Sequence, residues 1–466
     1  MNWTPQQVAR LVNGHIRSLG DSPRVQLLST DTRTLKPGEL FVPLVGDAFD
    51  GHRFVVESER RGAIGALVQI GRMSESELQA LSKRFLVILV CDTLHALGNL
   101  AADVRRGFQG PVVAITGSNG KTTTKEMVAG ILEQRGCVLK NEGNFNNLVG
   151  LPLTLFRLGT EHRFAVLEMG ANNFGEIRRL MEIARPTVGM ITNVDSAHLE
   201  GFGDLDGVAR AKGEMIEQMS DSGAFAVNLD DPRVASKAAR FRGRLISFSR
   251  TSDADVRLIR SHPTSSGLSE LLLRVGRDEI RVRLNAAGEH IEQNALAATA
   301  AAYAAGADSE AIRVGLESFR PVRGRSRILT GEGGIRILDD TYNANPASMS
   351  AALKMLARVR GKGRAIAVLG HMAELGPHAE AAHRELGAQV ADLGVYEAFF
   401  VGPYAESAKE GAVSHQMSST RVHVFESLES LIDELKKLLQ EDDVVLVKGS
   451  RTARMERVVN TLAEGY

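Results

Sequence analysis

Apolar runs of four or five residues alternate with longer amphipathic stretches along most of the chain, the pattern of βα units built around a largely parallel sheet. Runs at 112–115, 164–167, 188–192 and 225–228 read as buried strands of one group, and runs at 336–338, 365–369, 398–401 and 444–447 as strands of another. Behind the run at 112–115, Thr124, Met127, Val128, Ile131 and Leu132 recur at helical spacing, which predicts a helix with one apolar face. An alanine-rich stretch over 294–305 predicts a second helix. Two interruptions divide the chain: Arg105-Arg106-Gly107-Phe108-Gln109-Gly110-Pro111 and Phe319-Arg320-Pro321-Val322-Arg323-Gly324-Arg325. The fold class read from this is α/β in three domains, 1–107, 108–318 and 319–466.

A length of 466 residues agrees with three domains of about 150 each. Lys plus Arg (56) balances Asp plus Glu (56), so the basic excess that accompanies nucleic-acid or anionic-membrane binding is missing. No apolar run approaches the roughly 20 residues that span a bilayer. The opening Met1-Asn2-Trp3-Thr4-Pro5 has no basic-then-apolar leader pattern. The two cysteines, Cys91 and Cys137, stand in apolar sequence and are too few for a disulfide framework. The expectation is a cytoplasmic monomer without membrane or nucleic-acid partners.

The most informative stretch is Thr116-Gly117-Ser118-Asn119-Gly120-Lys121-Thr122-Thr123, set between the strand at 112–115 and the helix that follows. Glycines let main-chain N–H groups approach a phosphate at the helix N-terminus, Lys121 adds a positive charge, and the Thr122 hydroxyl suits Mg²⁺. The loop is shorter than the common G-x-x-x-x-G-K-[ST] form, because Ile115 stands where the first glycine would be. Together with its strand and helix it points to nucleotide binding, by a central parallel-sheet domain like that of P-loop ATPases. The run at 164–167 ends in Glu168, an acid at the carboxyl end of a parallel strand, where ligands gather. The run at 188–192 leads to His198, which on its own pattern reads more readily as a structural histidine than as a metal ligand.

These residues resemble the Mur ligases, ATP-dependent amide-forming enzymes of peptidoglycan precursor synthesis, over nearly the whole chain. The phosphate loop resembles the family's ATP loop. Glu168-Met169-Gly170-Ala171 and Thr192-Asn193-Val194-Asp195-Ser196-Ala197-His198 resemble its magnesium strands. Gly288-Glu289-His290-Ile291-Glu292-Gln293-Asn294 resembles its nucleotide-side helix. Asp339-Asp340-Thr341-Tyr342-Asn343-Ala344-Asn345-Pro346, Val368-Leu369-Gly370-His371-Met372-Ala373-Glu374-Leu375-Gly376 and Val447-Lys448-Gly449-Ser450-Arg451 narrow the likeness to the member that adds a D-alanine dipeptide. The resemblance implies a UDP-substrate-binding domain over 1–107, an ATP-binding domain over 108–318 and a Rossmann-like ligase domain over 319–466 that takes the dipeptide.

It also implies a reaction. ATP turns the carboxylate of UDP-N-acetylmuramoyl-tripeptide into an acyl phosphate, and the amine of D-alanyl-D-alanine displaces the phosphate. Lys121, Glu168, His198 and Lys212 are implied as catalytic. Gly117, Ser118, Asn119, Gly120, Lys121, Thr122, Thr123, Asn294, Arg325 and Asp340 are implied for ATP, and Thr122, Glu168, His198 and Lys212 for two Mg²⁺ ions, with Lys212 carbamylated. Ser29, Thr30, Asp31, Asp47, Phe49 and Asp50 are implied for the uridine nucleotide, and Asn343, Lys448, Ser450 and Arg451 for the dipeptide. Pattern alone reads Lys212 as a solvated helix lysine. The family usually has an acid where this chain has His371, so that acid's role is not carried over, although a histidine there can take a proton from the incoming amine. A folylpolyglutamate synthase, a Mur ligase adding another amino acid and a regulatory protein that keeps only the nucleotide loop are the competing readings.

Overall fold

The computed structural model describes residues 1–21, 24–46, 48–195, 199–264 and 268–463. The chain forms two compact units: Met1–Gly110 with Leu139–Met169 and Arg178–Arg185, and Pro111–Val138 with Gly170–Ile177 and Pro186–Tyr466. Each is described by itself.

In the first unit the helix Pro5–Leu11 starts at a capping box, with Thr4 and Gln7 each taking the other's main-chain N–H and Pro5 inside the first turn. Five strands follow in the order His15–Leu19, Leu86–Val90, Gly65–Gln69, Leu40–Phe41 and Leu28–Ser29. Leu40, Leu67, Leu86 and Ile88 from these strands are fully buried, as is Leu97 from the helix Thr93–Arg106, so sheet and helix share one core. That helix is capped by Asp92. Cys91, just before that cap, and Cys137, first residue of the strand Cys137–Lys140, are both exposed. Apolar sequence neighbours enter the core while the two cysteines stand at element ends.

In the second unit, strands run side by side in the order Asp278–Arg283, Ser269–Val275, Val256–Pro263, Arg244–Ser249, Ala224–Asn228, Val188–Ile191 and Val112–Thr116. Pairing is parallel from Val112–Thr116 to Val256–Pro263 and antiparallel over the remaining two. The helix Lys121–Glu133 buries Thr124, Met127, Val128, Ile131 and Leu132 completely, the face its spacing predicted. The alanine-rich helix spans Glu289–Ala304.

Beyond residue 324 a six-stranded sheet has the order Arg327–Thr330, Arg336–Asp340, Val444–Lys448, Ala365–Gly370, Glu397–Val401, Val422–Phe425, parallel except for its first pair. Helices on its two faces close two hydrophobic clusters, one around Leu353, Leu356 and Val390 and one around Leu431, Leu435 and Val458. All eight apolar runs expected to be strands are strands. Their parallel arrangement puts Asp340, His371 and Lys448 at or just past one edge, at the carboxyl ends of adjacent strands.

Candidate functional site

The strand Val112–Thr116 delivers the chain into Gly117 at φ 141° and Gly120 at φ 78°, backbone that glycine adopts without a Cβ penalty. A Cβ on Gly117 would overlap the Thr192 hydroxyl, and one on Gly120 the Asn294 carboxamide. Gly120 is the N-cap of the helix Lys121–Glu133, and no side chain caps that end. The positive end of the helix is therefore left for an anion.

Loop 192–195 holds the phosphate loop in shape. The N–H groups of Ser118 and Asn119 donate to the Asn193 carbonyl (3.0 Å) and side-chain Oδ1 (2.9 Å), so these two donors are already engaged. The Asn119 carbonyl accepts from Thr192 Oγ1 (2.6 Å) and Asn193 Nδ2 (3.2 Å). Ser118 Oγ donates to the Asp195 carbonyl and accepts its N–H, both at 2.9 Å. Lys121 folds back across the loop, with Nζ donating to the carbonyls of Gly117 (2.8 Å) and Ser118 (3.1 Å). Thr122 and Thr123 are buried in the first helical turn.

Loop 192–195 is fixed in turn by Asn228 and Asp231. Buried Asn228 donates from Nδ2 to the Thr192 carbonyl (2.8 Å) and accepts Gln293 Nε2 (3.0 Å), one residue before Asn294. Asp231 accepts the Val194 N–H at 2.7 Å while capping the helix Pro232–Ala238. The sequence reading missed Asn193, Asn228 and Asp231. Asn228 carried the signal that identified Glu168: a polar residue ending an apolar parallel strand.

Glu168 ends the strand His162–Glu168 in the first unit and is buried. Buried Asn141 fixes its main chain, accepting the Glu168 N–H and donating to its carbonyl, both at 2.9 Å. Asn146 donates to the carboxylate at 2.8 Å. The cluster Asn141-Glu142-Gly143-Asn144-Phe145-Asn146-Asn147 was the available hint for this support.

Lys212, in the helix Leu205–Gln218, is 1% exposed, which overturns the solvated position its pattern suggested. Its Nζ lies 5.5 Å from the Phe202 ring centroid. Burial, with the like charge of Lys121, lowers its pKa from 10.5 to about 7 against the opposing pull of Glu176 and Glu214. His198 and Asp47 lie outside the described residues.

Past residue 324, Asp340 is engaged at both oxygens: Oδ1 accepts the Ser326 N–H (2.8 Å) and Oδ2 the Lys448 ammonium (2.5 Å). Lys448, nearly fully buried, also donates to the Asn343 carbonyl at 2.9 Å. Arg325 stacks on Tyr342 at 4.0 Å. His290 meets Ser326 Oγ at 3.0 Å, and burial holds its pKa below the usual imidazole value. Asn345 caps the helix Pro346–Val359 and donates from Nδ2 to Asn119 Oδ1 at 2.8 Å, so this region touches the phosphate loop directly. Ser450 is buried and Arg451 exposed, 3.8 Å from Glu456.

In the first unit, Ser29 Oγ accepts the Asp31 N–H (3.2 Å) and Thr30 lies between them at the end of the strand Leu28–Ser29. Hydrogen bonds from Arg33 hold Asp31 below the usual carboxylate range. Burial would raise the Asp50 pKa, but hydrogen bonds from the His52 N–H and ring, with the nearby Arg72 charge, lower it on balance. Exposed Phe49, paired with Gly46 across a short hairpin, stacks on Phe54 at 5.8 Å.

Residues 115–302 match the family description "Mur ligase middle domain" and residues 324–451 "Mur ligase, glutamate ligase domain". The UDP-N-acetylmuramoyl-tripeptide–D-alanyl-D-alanine ligase of Escherichia coli strain K12 is 38% identical, over 99% of this chain and 98% of that one. A crystal structure of MurF from Acinetobacter baumannii superposes with a TM-score of 0.89 at 33% identity, covering 99% of both chains. The MurF ligase of Thermotoga maritima in complex with ADP has a TM-score of 0.82 at 29% identity, covering 93% of this chain and 96% of that one.

Proposed function

This chain belongs to the Mur ligase family, and from that premise we propose that it joins D-alanyl-D-alanine to UDP-N-acetylmuramoyl-tripeptide with ATP, releasing ADP and phosphate. The observation that carries the reading is the phosphate loop: a helix start without a side-chain cap, held in shape by loop 192–195, in a chain similar to these ligases from end to end.

A carboxylate is a poor acyl donor, so its oxygen first attacks the γ-phosphorus of ATP, ADP departs, and an acyl phosphate forms. The amine then attacks the acyl carbon and phosphate departs. Both steps crowd negative charge, which main-chain N–H groups and cations must offset. Lys121 exchanges the carbonyls of Gly117 and Ser118 for the β- and γ-phosphates. Ser118, Asn119 and Thr123 shape the loop. Arg325, steadied on Tyr342, reaches a phosphate, while Asn294 and Asp340 serve the adenosine side. Because Lys448 is committed to Asp340 and Asn343, exposed Arg451 takes the dipeptide carboxylate, with Ser450 beside it.

Mg²⁺ prefers oxygen donors, the chemistry that the Thr122 hydroxyl and a carbamate on Lys212 would offer; the Glu168 carboxylate, which accepts from Asn146, and His198 are assigned to it by resemblance. Bound Mg²⁺ supplies charge neutralisation at the phosphates. Carbamylation needs an unprotonated amine, and a pKa of about 7 gives Lys212 a large neutral fraction. A gain of one CO₂ in the intact-protein mass under bicarbonate, absent in Lys212→Ala, tests it.

Residues 1–107 hold the uridine nucleotide through Ser29, Thr30, Asp31, Asp47, Phe49 and Asp50, 108–318 bind ATP, and 319–466 bind the dipeptide. The protein works as a cytoplasmic monomer. Among the described residues no helix is long and apolar enough to cross a membrane. The test supplies Mg-ATP and the UDP-tripeptide with D-alanyl-D-alanine, D-alanine or L-glutamate in turn. Phosphate release with a product of pentapeptide mass is expected for the dipeptide alone, and turnover with L-glutamate would reassign the substrate.

A further inference from the structure

The sheet beyond residue 324 carries a hydrogen-bonded chain that joins Ser450 to a histidine the assignments above leave unused. His371 follows the strand Ala365–Gly370, whose Leu369 pairs with Lys448, so the imidazole stands beside the strand end that carries the dipeptide-site residues. Its Nε2 lies 3.0 Å from Thr452 Oγ1, and Thr452 Oγ1 lies 3.0 Å from Ser450 Oγ. The Ser450 N–H donates back to the His371 carbonyl at 2.9 Å, which closes the ring of contacts. The other ring nitrogen, Nδ1, faces Gly402. Gly402 has φ 110° and packs against this side of the ring, where a Cβ would come within 2.9 Å of Nδ1. An imidazole that donates from Nε2–H to a hydroxyl presents a lone pair at Nδ1.

We propose that His371 is a catalytic residue of the second step, taking at Nδ1 a proton from the ammonium of the incoming dipeptide, with Thr452 and Ser450 as positioning residues that fix its ring orientation. This rests on the acyl-phosphate reading above. At neutral pH the dipeptide arrives as an ammonium without a lone pair. Transfer of one proton to His371 frees the pair, the C–N bond forms at the acyl carbon, and the C–O bond to phosphate breaks. The second N–H proton leaves with the expelled phosphate, and His371 returns its own to water through its exposed edge. Burial holds the ring's pKa below the usual imidazole value, so it is neutral and able to accept.

His383, Lys448 and Arg451 each have a partner in the structure. On the helix Ala379–Asp392, buried His383 accepts the Met372 N–H at 2.9 Å and its Nδ1 bonds the Ala379 carbonyl, which fixes it neutral. From the strand Val444–Lys448 and its loop, Lys448 pairs with Asp340 and Arg451 turns to Glu456. Tyr404, past Gly402, stacks on His383.

The test compares two nucleophiles in wild type, His371→Asn, Thr452→Val and Thr452→Ser. Hydroxylamine is unprotonated at neutral pH and traps an acyl phosphate as hydroxamate without a base. With D-alanyl-D-alanine, His371→Asn is expected to lose roughly 10²-fold in kcat/KM together with the acidic limb of the pH profile, and to keep its hydroxamate rate. Thr452→Val falls partway and Thr452→Ser recovers. A rate with the dipeptide within twofold of wild type, an acidic limb that survives in His371→Asn, or equal losses with both nucleophiles would each overturn the proposal. Absence of hydroxamate from wild type would instead refute the acyl phosphate, and the proposal with it.

Discussion

A buried lysine titrates against its own environment, and Lys212 makes that measurable. Unfolded, its amine keeps its proton up to about its ordinary value of 10.5; folded, it releases it near 7. Between those values the unfolded chain binds more protons, so this residue makes stability rise with pH, by up to about 1.4 kcal/mol per unit, and its penalty is full and constant below 7. Lys212→Met in CO₂-free buffer is expected to lose that slope, to be more stable than wild type near neutrality and to have no ligase activity. Denaturant unfolding at about pH 7 and about pH 9 reads the slope; equal slopes in the two proteins would refute the account. The sequence could not place this lysine inside, because its helix alternates charged and small residues and only tertiary packing decides which face is covered. The place of Glu168, buried at the end of the strand His162–Glu168, was legible because it closes an apolar run.

At the scale of elements, the helix Pro346–Val359 joins a cap to a tether. Asn345 accepts the Ser348 N–H as N-cap and donates to Asn119 in the phosphate loop. Asn345→Asp keeps the capping oxygen and sets an acceptor against the Asn119 acceptor. Asn345→Ala loses both contacts. Thermal melts are expected to leave Asn345→Asp near wild type and to cost Asn345→Ala about 1 kcal/mol, whereas ATP titration should weaken in both. Unchanged ATP affinity in Asn345→Asp would show that the tether has no effect. The parallel strands were legible as unbroken apolar runs, since both faces are covered. The antiparallel strands Ser269–Val275 and Asp278–Arg283 were not. Their buried positions, Leu271, Leu273, Val275, Ile280 and Val282, alternate with Glu270, Leu272, Arg274, Glu279 and Arg281, and the Gly276-Arg277 turn between them is a weak hairpin signal.

Across the second unit, the ties between the region beyond 324 and the nucleotide side include Asn345 to Asn119, Ser326 to His290, and Arg358 to Glu292. Glu292 is 1% exposed and collects Arg358 (2.8 Å), Ser261 (2.8 Å), Ser269 (3.0 Å) and Arg250 (3.3 Å). Glu292→Ala leaves two guanidinium groups without their shared carboxylate and is expected to cost about 3–5 kcal/mol. Glu292→Gln, which retains an acceptor for the serines, should cost less, and equal melting temperatures for wild type and Glu292→Ala would contradict this. The family resemblance was legible across the whole chain because its motifs sit in loops where chemistry dictates residue type, while these ties join segments far apart in sequence and have no local pattern. The central claim is that ATP activates the tripeptide carboxylate as an acyl phosphate, and its most direct test uses UDP-tripeptide with both oxygens of the terminal carboxylate labelled with oxygen-18. After turnover with D-alanyl-D-alanine, one label is expected in the released phosphate and the other in the new amide. Phosphate without label would contradict the account.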